Sequence, residues 1–265
     1  MKKLKTEHTP RYPVQTLEKA LDIIEILFKE GVNEGLGISD LSRKLGIGKS
    51  TIHRILDTLV AYGYVEKTQE SPKYRLGWRI FEIGNIVPRQ RNLYNFDINI
   101  LQELCDKYKE TVNLGVRVDG DVVTISKVEP TSTLMANLKV GGREPAHATA
   151  MGKVLISELS KGELIEILGD PPLKSYTPNT ITDIDKLVEE LERVRNQGYS
   201  IDDEEFCLGL FCVAMPVRNY NNEIVAAVSV SGPSVRLNFS KVMDILEGLE
   251  EATKKLSAYL GYKPK

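Results

Sequence analysis

A chain of 265 residues with 42% hydrophobic and 27% charged side chains is long enough for two domains with sizeable cores. No apolar run approaches the ~20 residues needed to span a bilayer, and the start MKKLKTEHTPRYP lacks the apolar segment of a secretory signal, so a cytoplasmic location and no membrane partner are expected. Three cysteines (Cys105, Cys207, Cys212) without a CxxC pair, and three histidines at no ligand spacing, argue against a disulfide framework, a metal site or a cofactor. The net charge of −2 hides an asymmetry: residues 1–91 hold 16 Lys/Arg against 11 Asp/Glu, net +5, whereas the remainder holds 19 against 26, net −7. A basic first third fits a segment that meets phosphate, and an acidic remainder fits one that stays away from it.

Residues 1–13 are polar, with Pro10 and Pro13, and read as an arm. A 3.6-residue apolar period predicts a helix over Val14–Lys29, followed by a loop from Gly31 to Gly37. Then comes ISDLSRKLGIGKSTIHRILDTLVAYGYV, two short amphipathic helices around the turn Gly46-Ile47-Gly48. Ser39 is a candidate N-cap for the first, and Gly46 suits its left-handed end. In the second helix Ile52, Ile55, Leu56 and Leu59 share one face. Ser50, Arg54 and Asp57 take the other, flanked by Thr51 and His53. Such a helix suits the major groove, where Arg pairs with guanine and hydroxyls reach phosphates or base edges. Extended runs at Tyr64–Glu66 and Lys73–Leu76 add a β-arm with a basic return strand, completing a winged helix-turn-helix over 14–78. Lys49, Ser50, Thr51, His53, Arg54, Lys73, Tyr74 and Arg75 are the candidate DNA contacts.

Trp78, Ile80, Phe81 and Ile83 predict a linker helix over 79–91 that Pro88 stops, and a further helix follows over about Asn92–Lys109. From residue 92 to 265 the pattern is strands mixed with helices. A hairpin turns at Asp119-Gly120, an extended segment runs from Thr133 to Val140, and a loop covers Gly141–Pro145. Helices are predicted at Ala148–Leu159, Lys161–Leu168 and Asp183–Gln197. Strands follow at Tyr199–Glu204, Phe211–Arg218 and Glu223–Ser231, and a helix from Phe239 to Leu260 ends the chain. The whole is a two-domain α+β chain whose second domain is an antiparallel sheet flanked by helices.

With these residues in view, the chain resembles the IclR family of bacterial transcriptional regulators from about Val14 to Leu260. Six blocks carry the likeness in order: VQTLEKALDIIEIL, the Lys49-Ser50-Thr51…Arg54-Ile55-Leu56 helix, YRLG, HATAMGKVL, RNQGYSIDDEE and GLFCVAMPVRN…EIVAAVSVSGP. The resemblance implies a GAF-like effector domain behind the winged helix-turn-helix, and dimers, often paired into tetramers, on palindromic operators. It also implies control by a small organic acid such as a 2-oxo acid, an aromatic acid or a ketodeoxy sugar acid, in a regulator more often a repressor. Carried over by motif, the effector contacts fall on Ala150, Met151, Asp202, Cys212, Ser229 and Ser231. Gly48 stands where the family often has proline, and Met151 where it usually has a smaller residue.

The residues themselves support a ligand site at these blocks. The small side chains from His147 to Lys153 open a helix whose first N–H groups suit a carboxylate. Strand alternation sets Ser229 and Ser231 on one face and Val228 and Val230 on the other. Asp202 would repel a ligand carboxylate and is assigned to the other end, accepting a hydroxyl or orienting Lys/Arg neighbours, whereas the run DDEE at 202–205 as a whole reads as a solvated or salt-bridged edge. Cys212 reads equally as a small buried hydrophobe, His147 as a packing or capping residue, and Lys153 as the partner of an acid. Two rival functions are an enzyme with Cys207 or Cys212 as nucleophile, and a winged fold that binds protein rather than DNA.

Overall fold

The computed structural model describes residues 10–31, 34–68, 71–90, 98–131 and 139–263, and the chain divides into two compact units, 1–94 and 95–265. In the first unit, α1 (Gln15–Glu30), α2 (Ile38–Leu45) and α3 (Lys49–Ala61) close on one core. Ile23, Ile26 and Leu27 of α1 meet Leu41, Ile52, Ile55 and Leu56 there. Gly46 ends α2 at φ 66°, a left-handed position that glycine occupies without a Cβ clash. Ser39 is not the cap of α2. Gly37 holds that position, and Ser39 lies inside the first turn.

The wing has one strand more than its two-run pattern. β2 (Val65–Lys67) pairs with β3 (Lys73–Leu76), and Leu36–Gly37, in the predicted loop, forms β1 on the other side of β3. Two residues carry no periodicity, so this strand is invisible without its partner. Further on, α4 (Trp78–Gly84) and α5 (Ile86–Gln90) break at Asn85 rather than at Pro88, which lies in the first turn of α5. A first-turn N–H has no intrahelical acceptor, so proline costs little there.

In the second unit, α6 (Ile98–Tyr108) leads into a six-stranded, wholly antiparallel sheet in the order β6-β5-β4-β9-β8-β7. Its strands are β4 (Thr111–Val118), β5 (Asp121–Val128), β6 (Arg143–Pro145), β7 (Ser200–Asp203), β8 (Leu210–Arg218) and β9 (Ile224–Pro233). The hairpin β4–β5 turns at Asp119, φ 58°, and Gly120 as the sequence predicts. The predicted loop Gly141–Pro145 instead contains β6, whose Glu144 stands opposite Val122. Most of the extended segment predicted at Thr133–Val140 lies outside the described residues, as does the start of the helix predicted from Asn92.

One face of the sheet is covered by α6 and by α10 (Val242–Tyr259). The other carries α7 (Ala150–Ile156), α8 (Lys161–Leu168) and α9 (Ile184–Gln197), whose core includes Met151, Val154, Leu164, Leu187 and Leu191. All seven residues of α7 are buried. Its close seating depends on Gly152, where a Cβ would stand 2.2 Å from the Ala146 carbonyl oxygen. No helix among the described residues is long and apolar enough to cross a membrane.

Candidate functional sites: an exposed recognition helix and a pocket under α7

In the first unit Lys49, Ser50, His53, Arg54 and Asp57 are exposed along α3, and Thr51 is half-buried, as the helical period requires. No side chain caps α3 at its start, where Gly48 is extended. The wing departs from expectation at Tyr74. That ring is 8% exposed and packs into the core of the unit, because alternation along β3 turns it inward while Lys73 and Arg75 turn outward. Lys73 donates to Glu34 at 2.7 Å, and Arg75 donates to Glu66, its cross-strand neighbour, at 2.6 Å. The Lys73 ammonium holds Glu34 below the usual carboxylate range. Such exposed pairs are weak and are readily exchanged for phosphate.

In the second unit the antiparallel register stacks polar residues across four strands in two rows. Asp202, Cys212, Ser231 and Thr111 form one, and Ser200, Ala214, Ser229 and Asn113 form the other. Directly opposite residues share a face. Asp202, Cys212, Ser229 and Ser231 therefore line one cavity under α7 with Ala150 and Met151, so all six residues implied by the resemblance are brought together. The cavity measures about 280 Å³ counting its open mouth, and Glu144, Thr149, Phe206 and Leu210 complete its wall. Cavity and rows together make a site of five strands and one helix.

Its polar groups are incompletely satisfied. Asn113 donates from Nδ2 to Ser231 at 3.3 Å and to Ser229 at 3.4 Å, and the two hydroxyls lie 3.4 Å apart. Among the described residues, Thr111 Oγ1, Asn113 Oδ1, Ser200 Oγ, Asp202 Oδ2 and Glu205 Oε2 are buried without a hydrogen-bond partner, and the first four belong to the two rows. Each such group costs ~1–3 kcal/mol, so their concentration at one place marks it as a site for polar recognition rather than a core. Asp202 accepts at Oδ1 from the backbone N–H of Glu205 at 2.7 Å and of Phe206 at 3.4 Å. Burial first, and then the nearby Glu205 carboxylate, pushes Asp202 up to about 7. Burial likewise pushes Glu144 up to about 7, opposed by a 3.4 Å bond from Thr124 Oγ1.

The run at 202–205 is a salt-bridged edge rather than a solvated one, β7 being the last strand of the sheet. Asp203 is exposed, whereas alternation along β7 turns Asp202 under α7, and Glu205 is buried against Lys153 in the turn that follows. Lys153, itself 1% exposed, pairs with Glu205 and with Glu190 at 3.2 Å. His147 is buried, its Nε2 2.9 Å from the Lys174 carbonyl oxygen and its ring beside Tyr176, and burial lowers its pKa. The start of α7 offers less than its sequence implies: the helix has seven residues, and Thr149 Oγ1 already accepts from Gly152 N–H at 3.2 Å.

A thiolate chemistry finds no support here. Burial pushes the Cys212 thiol well above its ordinary range, with the Asp202 charge adding to the effect, and Cys207 is exposed on a loop. Among the described residues no group of three His, Cys, Asp or Glu side chains is placed to hold a metal ion. Sequence reasoning missed Asn113, Glu144, Thr149, Phe206 and Leu210. A signal existed for Asn113, a polar residue in the apolar run TVNLGV. None existed for Glu144 while its segment read as a loop.

Comparison with known proteins agrees with both units. Residues 16–69 match the IclR helix-turn-helix domain, and residues 89–258 match the C-terminal domain of bacterial transcriptional regulator IclR. The chain is 36% identical over 249 residues to the HTH-type transcriptional regulator XynR of Escherichia coli K12, covering 94% of this chain and 98% of that one. It is 31% identical over 258 residues to the HTH-type transcriptional repressor AllR of Salmonella typhi, covering 97% and 94%. The crystal structure of the Thermotoga maritima IclR superposes with a TM-score of 0.75 at 30% identity, over 94% of this chain and 99% of that one. With a helix-turn-helix whose α3 face is open and a sheet domain enclosing a polar pocket, the chain belongs to the IclR family of bacterial transcriptional regulators.

Proposed function

We propose that this regulator is a repressor of a catabolic operon that binds a palindromic operator as a dimer or a pair of dimers, and that a small organic acid in the pocket under α7 alters that binding. The observation that carries the reading is the pairing of an open recognition face on α3 with a buried, polar, under-satisfied pocket in a separate unit. Lys49, Lys73 and Arg75 neutralise phosphates, while Ser50, Thr51, His53 and Arg54 read the groove. Tyr74 takes no part in contact and acts by holding β3 to the core.

Ser229 and Ser231 donate to the acid, and Asp202 takes its hydroxyl end. Met151, whose side chain lines the cavity, limits ligand size. The acid must bind the DNA-competent and incompetent states with different affinity, and the segment 84–96 between the recognition and effector regions carries that difference. AllR, named a repressor, supports repression as the sign of control.

The test is fluorescence anisotropy of the purified chain on DNA upstream of its own and adjacent genes, with 2-oxo, aromatic and sugar acids added in turn. Tight, salt-sensitive binding that one acid weakens supports the whole reading. Binding that no acid shifts leaves the DNA role and removes the effector role. A weak salt dependence would revive the protein-binding alternative.

A further inference from the structure

We propose that Glu144 contacts the effector, and that the acid enters the pocket together with one proton, shared between a ligand oxygen and the Glu144 and Asp202 carboxyls. This rests on the reading of the cavity as the organic-acid site.

The geometry is that of an anion site without a cation. Among the described residues lining the cavity there is no Lys, Arg or His, whereas two carboxyls line it, Glu144 at 5% and Asp202 at 1% exposure. A ligand carboxylate placed beside two ionised carboxylates in a buried site meets repulsion that solvent screens poorly. One proton removes most of that repulsion and turns an acceptor into a donor. Asp202 Oδ2 has no hydrogen-bond partner, and the bond Glu144 receives from Thr124 is long, so both can share a proton with a ligand oxygen.

The surrounding charges do not replace the missing cation. Behind Asp202, Lys153 of α7 is held by Glu190 and Glu205, and Glu205 turns further negative charge toward Asp202. On the side of Glu144, Asp121 adds negative charge and is itself held by Arg143 at 3.0 Å, while Lys127 pairs with Glu129. Cys212, opposite Asp202, stays a thiol. Burial brings both pocket carboxyls to about 7, so near neutrality the proton is available at little cost.

Isothermal titration calorimetry on the full chain tests this, with pyruvate, glycerate and 4-hydroxybenzoate as probes, in phosphate and in Tris buffer. For an acid that binds, Kd is expected to rise roughly tenfold between about pH 6 and pH 8, as one required proton with a pKa near 7 dictates. At about pH 8, where the free carboxyls have lost their protons, the binding heat should also differ between the two buffers by close to one proton taken up, and at about pH 6 by little. Glu144→Gln should shift Kd, and either it or Asp202→Asn should flatten the pH dependence. A Kd flat with pH in the unaltered chain, with buffer-independent heat, overturns the proton. Glu144→Gln binding within about twofold of the unaltered chain at every pH overturns the contact. If no probe binds at any pH to a chain that still binds its operator, the organic-acid reading fails, and the inference with it.

Discussion

Lys153 and Glu205 are joined in a buried ion pair behind the pocket, with Glu190 as the second partner of the ammonium. The pair ties α7 to the turn after β7, the two elements that flank Asp202. Lys153→Met removes the cation and leaves buried carboxylates uncompensated. A loss of ~3–5 kcal/mol in unfolding free energy is expected, read from urea denaturation. A neutral outcome would mean that Glu205 takes up a proton in the variant without cost.

Arg54 is exposed on α3 and no core contact depends on it. Arg54→Ala should leave the thermal midpoint unchanged and weaken operator binding by ~1–3 kcal/mol, the worth of a bidentate base contact. Unchanged operator affinity in an anisotropy titration would remove Arg54 from the reading set.

Tyr74 gives the opposite split. Its ring belongs to the core of the first unit, so Tyr74→Ala should cost ~3–5 kcal/mol of that unit's stability, as large-to-small aromatic changes do. Tyr74→Phe should retain both stability and operator affinity. A loss of operator affinity in the folded Phe variant would restore the tyrosine hydroxyl as a DNA contact.

The buried carboxyls set a sign for pH. Glu144 titrates near 7 in the folded chain and near ~4.3 when unfolded, so the folded state holds the extra proton between those values. Its contribution to stability is therefore fully present below about pH 4 and is lost as pH rises to about 7. Glu144→Gln should gain on the unaltered chain across that interval, by at most ~1.4 kcal/mol per pH unit, and the gap should stay level above it. Urea midpoints measured side by side check this, and a gap that narrows with rising pH contradicts it.

Much of this architecture was legible because long elements carry their own period. The core stripe of α3, the glycine end of α2 and the β4–β5 hairpin stand where the sequence put them, and the six residues of the carried-over set line one cavity. What escaped shares one physical cause. β1 and β6 are two and three residues long and exist only through their partner strands, so nothing local announces them. Calling the segment of β6 a loop hid Glu144, since a face can be assigned only to a residue on a strand. Tyr74 stands between two basic residues in sequence, and its inward face follows only from alternation along a paired β3. The two polar rows could be half seen: Ser229-Val230-Ser231 and Thr111-Val112-Asn113 have the same spacing, but only the sheet order sets them side by side.

The hairpin joining β8 to β9 carries a responsibility of its own. Asn219 closes it, accepting at Oδ1 from the N–H groups of Asn221 and Glu223, and Asn222 turns through φ 67°. That turn sets which residue of β9 stands opposite Cys212. A slip of one residue would bring Val230 and Val228 beneath α7 and send both serines to the side of α10. The chemical character of the pocket under α7 is thus tied to a surface turn at the far end of the hairpin. A one-residue insertion or deletion in that turn that moved the register would exchange a hydroxyl-lined pocket for an apolar one without altering any residue of its lining.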